Sequence, residues 1–404
     1  MFFIKAAFCR VFQTAFRIAL PLLPYREPKL IHSCGELGSV MKSENIKSVI
    51  IVTDKGIVEN GLTEPIKASF DECGISYTVY DSTRPNPTVS NVEEALQLYI
   101  SNECRGIIAV GGGSSMDCAK ALGARVVYPK KSLNKMKGIL RVLRPLPPLV
   151  AVPTTAGTGS EVTLAALVTD SEHNNKYALM SFPLIPRYAV LDPALTFSLP
   201  SSLTFTTGMD ALTHATEAYI GRSTTKETRR LAKEAVRLIF ENIETSCADG
   251  QCREARENML SAAYKAGIAF SKSYVGYIHA VAHSLGGVYG TPHGLANTVI
   301  MPYVLTAYGK SAYKKLHQLG IAAGVADNTD TAEDGAKKYI NALKELNRRA
   351  GIPEKLSCIK KEDIPKMARH AEKEANPLYP VPRLMTEKEL EQIYYQLADW
   401  RNEE

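Results

Sequence analysis

The chain has 404 residues, of which 45% are hydrophobic and 22% charged, a composition that excludes wholesale disorder and fibrous architectures. Its 48 Lys and Arg against 42 Asp and Glu give a formal net charge of +6, a smaller surplus than nucleic-acid-binding proteins carry. There are eight cysteines but no Cys-x-x-Cys pair, and no apolar run reaches the roughly 18 residues of a membrane span. We therefore expect a protein of the reducing cytoplasm without disulfide bonds.

The first 26 residues contain four basic residues and no acidic residue, unlike the rest of the chain. On a helical wheel one arc is polar and mostly apolar residues fill the remainder, so we predict a basic amphipathic helix ended by Pro21 and Pro24. The polar arc consists of Arg10, Gln13, Thr14 and Arg17. Such a helix can pack on its own protein or a neighbouring subunit, lie in a membrane interface, or serve as a targeting or shell-docking peptide. We treat residues 1–26 as an N-terminal extension.

Residues 27–199 alternate between short β-rich runs and helical stretches such as Val92–Tyr99. This alternation is typical of βαβ units, and it predicts an α/β domain with a mainly parallel sheet. The β-rich runs are Ser48–Thr53, Ser76–Tyr80, Gly106–Val110, Pro148–Pro153 and Tyr188–Asp192.

Three segments of this α/β domain have residues suited to a nucleotide. Gly111–Gly113 follow a strand and open a helix, where backbone N–H groups can bind phosphate, although tight turns use glycine triplets too. Asp54 ends another strand, where its carboxylate can accept hydrogen bonds from adenosine ribose and repel a 2′-phosphate, or can simply cap a helix. Residues 154–160 form a loop of hydroxyls and glycines after a third strand. The glycine spacing is not Gly-x-Gly-x-x-Gly, so the usual dinucleotide motif is not met literally.

After Ser198–Ser202 the β-rich runs stop, and residues 200–404 are expected to form a helical domain. Apolar residues recur there with helical spacing. The stretches with this spacing are Leu203–Ile220, Glu227–Glu244, Cys252–Phe270, Ile278–Tyr289 and Asp334–Arg349.

This second half also contains a candidate metal site. Asp210 and His214 are four residues apart, as are His279 and His283, so each pair shares one helix face. His293 follows in Thr-Pro-His-Gly, where a new helix can begin. A carboxylate and imidazoles suit Fe²⁺ or Zn²⁺, either of which can act as a Lewis acid on an alcohol or carbonyl oxygen. A nucleotide site together with such a metal points to hydride transfer.

In four motifs the chain resembles the iron-containing (group III) alcohol dehydrogenases, a family that includes lactaldehyde reductases and 1,3-propanediol and butanol dehydrogenases. The motifs are GGGSSMDCAK, VPTTAGTGSEVT, GMDALTHATEAYI and HAVAHSLGGVYGTPHGLANT. The resemblance implies the fold shared with dehydroquinate synthase, which combines a Rossmann-like α/β domain with an all-α C-terminal domain. It also implies a metal-dependent, NAD-linked alcohol dehydrogenase or aldehyde reductase. A lyase like dehydroquinate synthase, or a zinc enzyme like glycerol dehydrogenase, is the alternative on the same fold.

The resemblance assigns roles residue by residue. The metal ligands it implies are Asp210, His214, His279 and His293. His283 takes the position that faces the nicotinamide, where it either relays a proton or only positions the ring. The cofactor contacts it implies are Asp54, Asn86, Gly112, Gly113, Ser114, Asp117, Thr154, Thr155, Thr158 and Lys176.

The resemblance also bears on substrate and assembly. Diol-specific members have an asparagine where this chain has Ala165, and Phe270 matches a pocket-lining position, so we expect an apolar pocket for short primary alcohols or their aldehydes. Iron is the expected metal, with zinc as the alternative, and Asp54 implies NAD(H) in preference to NADP(H). We expect a homodimer or larger homo-oligomer that does not bind nucleic acid. Residues 1–26 have no counterpart in typical members, so contact with a membrane or a shell stays open for them.

Overall fold

A computed structural model describes residues 2–171 and 175–400 of the chain. These residues divide into two compact units. The α/β unit comprises residues 24–199 and 250–267, and the helical unit comprises the described parts of 1–23, 200–249 and 268–404.

Within the described residues the strands are β1 (Lys29–Ile31), β2 (Ser48–Val52), β3 (Ser76–Tyr80), β4 (Gly106–Gly111), β5 (Gly138–Ile139), β6 (Leu149–Pro153), β7 (Ala165–Asp170), β8 (Asn175–Met180) and β9 (Tyr188–Val190). The helices are α1 (Phe2–Ala19), α2 (Leu37–Ser43), α3 (Lys55–Glu59), α4 (Glu64–Cys73), α5 (Val89–Ser101), α6 (Gly113–Val127), α7 (Ser201–Ile220), α8 (Lys226–Ala248), α9 (Arg253–Ser273), α10 (Tyr277–Tyr289), α11 (His293–Tyr308), α12 (Tyr313–Ala322), α13 (Ala332–Arg349), α14 (Ile364–Ala375) and α15 (Glu387–Leu397).

The main sheet of the α/β unit is parallel throughout and has the strand order β1-β9-β6-β4-β2-β3 in the described chain. Its central strands are buried on both faces, as parallel sheets are when helices cover them. Alternate side chains of β4 enter two separate cores: Ile107 packs in one, and Ile108 packs in the other. Burying each such side chain stabilises the fold by roughly 1.5–3 kcal/mol. The predicted Rossmann-like unit with a parallel sheet is confirmed.

The helical unit contains no strand among its described residues, as predicted. Helix α7 is buried on all sides from Gly208 to Ile220, which makes it the central helix of this unit. The helices predicted from periodicity are all present, with ends shifted by a few residues.

One division between the two units falls between Leu199 and Pro200, but the α/β unit also includes a later segment of the chain. Residues 250–267, which include most of α9, pack with the α/β unit although they are helical. Helix α9 approaches residues 159–162 closely, and Gly159 and Gly267 permit this contact. A Cβ on Gly267 would lie 2.5 Å from Val162 Cγ2 and 3.0 Å from the carbonyl oxygen of Gly159.

The N-terminal helix α1 contacts the helical unit through its polar arc. Gln13 is buried, and its Nε2 donates to the carbonyl oxygen of Tyr379 at 2.8 Å. Arg10 donates to the carbonyl oxygens of Val381 and Pro382 at 2.8 and 3.2 Å. Four apolar residues of the extension, Phe8, Val11, Ile18 and Leu22, are 60–84% exposed, whereas Cys9 is buried and the Phe16 ring contacts Tyr274. The predicted helix is therefore present, with Arg10 and Gln13 of its polar arc hydrogen-bonded to the protein and Thr14 and Arg17 exposed. None of the described helices is long and apolar enough to cross a membrane.

A buried lysine connects α6 to the hydroxyl loop in the α/β unit. Lys120 is fully buried, and its ammonium donates to the carbonyl oxygens of Ser160, Thr163 and Ala165 at 2.7, 3.0 and 2.9 Å. Burial lowers the pKa of Lys120 to about 8, while the charge of Asp117 opposes this shift. The ammonium thus holds residues 160–165 against the first helix after the glycine turn.

We expect Lys120→Met to destabilise the α/β unit by about 3 kcal/mol, because it leaves buried carbonyl groups and the nearby acids uncompensated. The midpoint of thermal unfolding should fall by about 6 °C or more, measured by differential scanning calorimetry. Lys130→Met removes an exposed lysine and is the matched control. Equal melting of the two variants would contradict the role assigned to Lys120.

Candidate metal centre and nucleotide site

Three helices of the helical unit supply the predicted ligands. Asp210 and His214 lie on α7, His279 lies on α10, and His293 is the first residue of α11, directly after Pro292. Gly294 permits the start of α11 to approach α7, because a Cβ there would lie 2.6 Å from the carbonyl oxygen of Thr206.

Three of the predicted ligands converge. Among the described residues, one ligand atom each from Asp210, His279 and His293 lies within 4.8 Å of the others. Asp210 Oδ1 is 3.4 Å from His293 Nε2 and 4.0 Å from His279 Nε2. His214 lies beside this group: its ring stacks on His279 at 4.5 Å between centroids, and its Nδ1 is 4.0 Å from Asp210 Oδ2. Phe270 stacks on the His214 ring at 4.1 Å.

The arrangement of donor groups fits a divalent transition metal. Burial, followed by the neighbouring His214, His293 and His283, lowers the pKa of His279 well below its usual value. His279 is therefore neutral near neutral pH, the form in which imidazole binds a metal. Neutral imidazoles and one carboxylate suit Fe²⁺ or Zn²⁺.

A buried carboxylate fixes the orientation of His279. Glu217 lies on α7 and is 2% exposed, and its Oε2 lies 2.6 Å from His279 Nδ1. The same carboxylate accepts the backbone N–H groups of Gly276 and Ile278, each at 2.8 Å. Burial raises the pKa of Glu217, and these N–H donors act against that shift. With its Nδ1 hydrogen held by Glu217, His279 presents a bare Nε2 toward Asp210.

A side-chain amide links the three converging residues. Asn297 Nδ2 lies 2.7 Å from Asp210 Oδ1, 3.3 Å from His279 Nε2 and 3.1 Å from His293 Nε2. Its Oδ1 is buried and has no hydrogen-bond partner among the described residues. Neither Glu217 nor Asn297 was predicted from the sequence. The available signal was helical spacing, because Glu217 lies seven residues after Asp210 and Asn297 four residues after His293.

His283 has a carboxylate partner of its own. Its Nδ1 lies 2.6 Å from Glu374 Oε1, and the same oxygen accepts the Tyr379 hydroxyl at 2.8 Å. Burial alone would raise the pKa of Glu374, but the charge and hydrogen bond of His283 outweigh it and the pKa is lowered. The His283 ring stacks on His293 at 5.3 Å. No local pattern in the sequence indicates Glu374, which lies 91 residues after His283.

The predicted nucleotide residues of the α/β unit lie at the carboxyl ends of neighbouring strands. Asp54 follows β2, Gly111 ends β4 beside Pro153 of β6, and Thr154 donates its N–H to the carbonyl oxygen of Gly111 at 3.1 Å. This edge of a parallel sheet is where such folds bind nucleotides. Asp54 caps α3, since Oδ1 accepts the N–H of Ile57 at 3.1 Å.

The glycine turn contacts the hydroxyl loop. Gly111 has φ of +138°, and a Cβ there would lie 3.6 Å from Asp54 Oδ2. A Cβ on Gly113 would lie 3.1 Å from Thr158 Cγ2, and one on Gly112 would lie 3.7 Å from Thr155 Oγ1.

Three further predicted cofactor residues lie together. The Asn86 N–H donates to Ser114 Oγ at 3.2 Å, and Lys176 Nζ donates to Asn86 Oδ1 at 2.7 Å. Asp117 is turned into the protein, where Oδ1 accepts the Ser160 hydroxyl at 3.3 Å and burial raises its pKa to about 6. Ala165 begins β7 and is half-buried.

Both halves of the chain match known proteins. A family model described as iron-containing alcohol dehydrogenase matches residues 31–193, and one for the C-terminal part of the Fe-containing alcohol dehydrogenase family matches residues 204–398. The chain is 38% identical to the 1,3-propanediol dehydrogenase of Citrobacter freundii over 94% of this chain and 98% of that protein. It is 35% identical to the NAD-dependent methanol dehydrogenase of Bacillus methanolicus, over 83% and 88% of the two chains. The crystal structure of a 1,3-propanediol oxidoreductase superposes with a TM-score of 0.89 at 36% identity, covering 92% of this chain and 99% of that one.

We expect Glu217→Gln to weaken divalent-metal affinity by about tenfold or more, because an amide presents N–H groups where the carboxylate now accepts them. Competition with a chelator of known affinity, followed by metal analysis, measures this change without an activity assay. Glu241→Gln alters an exposed carboxylate of α8 and is the control. Unchanged metal affinity in Glu217→Gln would contradict the role of Glu217 in orienting His279.

Proposed function

Because this chain belongs to the iron-containing alcohol dehydrogenase family, it is an NAD-linked oxidoreductase of alcohols and aldehydes, and we propose that Asp210, His214, His279 and His293 hold its metal. The observation that carries this proposal is the convergence of Asp210, His279 and His293 in the helical unit. The stacking of His214 on His279 supports His214 as the fourth ligand.

When bound, the metal supplies a Lewis acid for the substrate oxygen and the nicotinamide exchanges a hydride with the substrate carbon. The residues of the chain do the positioning. Glu217 holds His279 in one tautomer, and Asn297 holds the carboxylate of Asp210. His283, with Nδ1 against Glu374, leaves Nε2 to accept or donate a proton, so we propose that this pair moves the proton that accompanies the hydride.

The alternative of a lyase that uses NAD transiently is not favoured, because the relatives are named as dehydrogenases. Net consumption of NADH with an aldehyde separates the two classes directly.

The nucleotide site is proposed at the carboxyl edge of the main sheet. The cluster of Asn86, Ser114 and Lys176, the glycine turn and residues 154–158 support binding of the dinucleotide phosphates and nicotinamide there. Asp117 contributes by holding Ser160 in the hydroxyl loop. We propose that Asp54 selects NAD(H), because its Oδ2 lies beside Gly111 while its Oδ1 caps α3.

We also propose that the enzyme works in the cytoplasm as a homo-oligomer. Its eight free thiols support a reducing compartment. The exposed apolar residues Phe8 and Val11 of α1 support contact with a second copy. Light scattering of the full chain gives its mass in solution.

His279→Ala should abolish metal binding and lower kcat/KM for aldehyde reduction by about a thousandfold, since a Lewis acid contributes several kcal/mol to the transition state. Chelation of the unmutated enzyme should have the same effect, and added Fe²⁺ or Zn²⁺ should restore activity. His32→Ala removes an exposed histidine of the α/β unit and should change neither value. Full NADH-dependent butyraldehyde reduction by the metal-free protein would contradict the proposed ligand set.

NADH should be the better cofactor of the unmutated enzyme, and Asp54→Gly should raise kcat/KM with NADPH about tenfold by removing repulsion of the 2′-phosphate. Because Asp54 also caps α3, Asp54→Ser is the sharper variant: it removes the charge and keeps a capping oxygen. Comparable kcat/KM for both cofactors before mutation would overturn the proposed selection.

Short unbranched primary alcohols and their aldehydes are the proposed substrates. The flat side chain of Phe270 stacks on His214, and Ala165 has no hydrogen-bonding group for a second hydroxyl. In a panel from ethanol to hexanol with 1,2- and 1,3-propanediol, we expect kcat/KM to be higher for the monoalcohols. A clear preference for the diols, the substrates named for two relatives, would exclude an apolar pocket.

A further inference from the structure

A cavity of about 530 Å³ in the helical unit is strongly cationic and includes none of the candidate metal ligands. The residues that line it in the described chain include five basic residues and no acidic one. The basic residues are Arg17, Arg222, Arg229, Lys314 and Lys315.

These basic groups come from separate segments. Arg17 lies on α1, Arg222 follows the end of α7, Arg229 lies on α8, and Lys314 and Lys315 lie on α12. None of them forms an ion pair with a carboxylate within residues 2–171 and 175–400. Like charges brought together in this way repel one another, and this repulsion costs free energy that a bound anion would recover.

Lys315 is the most constrained of the five. Its ammonium donates to the carbonyl oxygens of Ile220 and Gly221 at the end of α7, which leaves one of its three N–H groups for another acceptor. Burial, then the guanidinium groups of Arg229, Arg222 and Arg17, lower the pKa of Lys315 to about 8. The fold thus holds this cation close to three others that disfavour its charge.

We propose that this cavity binds a phosphate-bearing anion. Arginine guanidinium and lysine ammonium groups are the side-chain groups that usually bind phosphate in proteins. A ligand with a single carboxylate would neutralise only one of the five positive charges in this cavity. The volume is that of a small-molecule site, larger than inorganic phosphate needs, so the ligand is an organic phosphate. Gln318 and Ser311 add neutral polar groups for the rest of such a molecule.

The phosphate can come from two sources. A soluble organic phosphate would enter from solution. A phospholipid headgroup would enter from a bilayer, and the exposed Ile18 and Leu22, which follow Arg17 in the sequence, would lie against its acyl chains.

The test uses the full-length protein saturated with NAD⁺, so that the nucleotide site is occupied, and titrates fructose 1,6-bisphosphate by calorimetry. Arg17→Gln and Lys314→Gln alter exposed side chains, so neither should disturb folding. Each should raise the Kd about tenfold, as expected for losing one charge-assisted contact, and the double variant should lose more. Arg17→Lys should recover part of the affinity, and Lys130→Gln in the α/β unit should have no effect.

A second arm measures co-sedimentation with phosphatidylcholine vesicles that contain or lack phosphatidic acid. Binding of the sugar bisphosphate without vesicle binding supports a soluble ligand, and vesicle binding that Arg17→Gln and Lys314→Gln both weaken supports a lipid headgroup. Saturable binding of neither probe, or binding that the double variant leaves unchanged, would overturn the proposal. Neither readout depends on turnover, so the result is independent of the proposed dehydrogenase activity.

Discussion

The carboxylate of Glu217 is the contact on which the candidate metal centre depends. It joins α7 to the start of α10 by accepting two backbone N–H groups that would otherwise lack partners at that helix start, and it also accepts the Nδ1 hydrogen of His279. Gly276 permits this approach, because a Cβ there would lie 2.7 Å from Glu217 Oε1. One buried side chain thereby sets both the position of a helix and the tautomer of a ligand.

His283, one helical turn after His279, also has a carboxylate at its Nδ1, but the role proposed for it differs. Its carboxylate partner Glu374 also accepts the Tyr379 hydroxyl, but the His283 side chain is 32% exposed whereas that of His279 is 3% exposed. A buried neutral imidazole suits a metal ligand, and a more accessible imidazole beside a carboxylate suits proton exchange. The different roles proposed for two histidines on the same face of α10 follow from this difference in burial and partner.

Much of the fold could be predicted because its hydrophobic patterns are long and regular. The buried strands β2, β4 and β6 and the periodic helices α7, α8 and α13 are of this kind. The short strands β1 and β5, and the antiparallel pair β7 and β8, were not predicted, because two or three residues or a half-buried pair of strands have too little periodicity to stand out.

In the site, the spacings of Asp210 with His214 and of His279 with His283, together with His293, indicated a metal site. The resemblance to the iron-containing alcohol dehydrogenases implied which of these residues are the ligands. Helical spacing places Glu217 on the same helix face as Asp210, but it does not show that Glu217 and Glu374 contact His279 and His283, because those contacts depend on which helices lie side by side. Their histidine partners are 62 and 91 residues away in the sequence.

In the N-terminal extension too, the sequence pattern does not determine the contacts. An amphipathic pattern predicts the helix but not which of its faces packs against the protein. Arg10 and Gln13 pack because the loop after α14 presents carbonyl oxygens to which they donate hydrogen bonds. Gln13 thereby holds the backbone of Tyr379, whose hydroxyl donates to Glu374, and Glu374 in turn holds His283. The sequence indicates only that residues 1–26 are an N-terminal extension. Through these contacts, however, α1 helps to position His283. The outward apolar residues of α1, and Arg17, which lines the cationic cavity, therefore belong to a helix that is hydrogen-bonded to the residues that support His283.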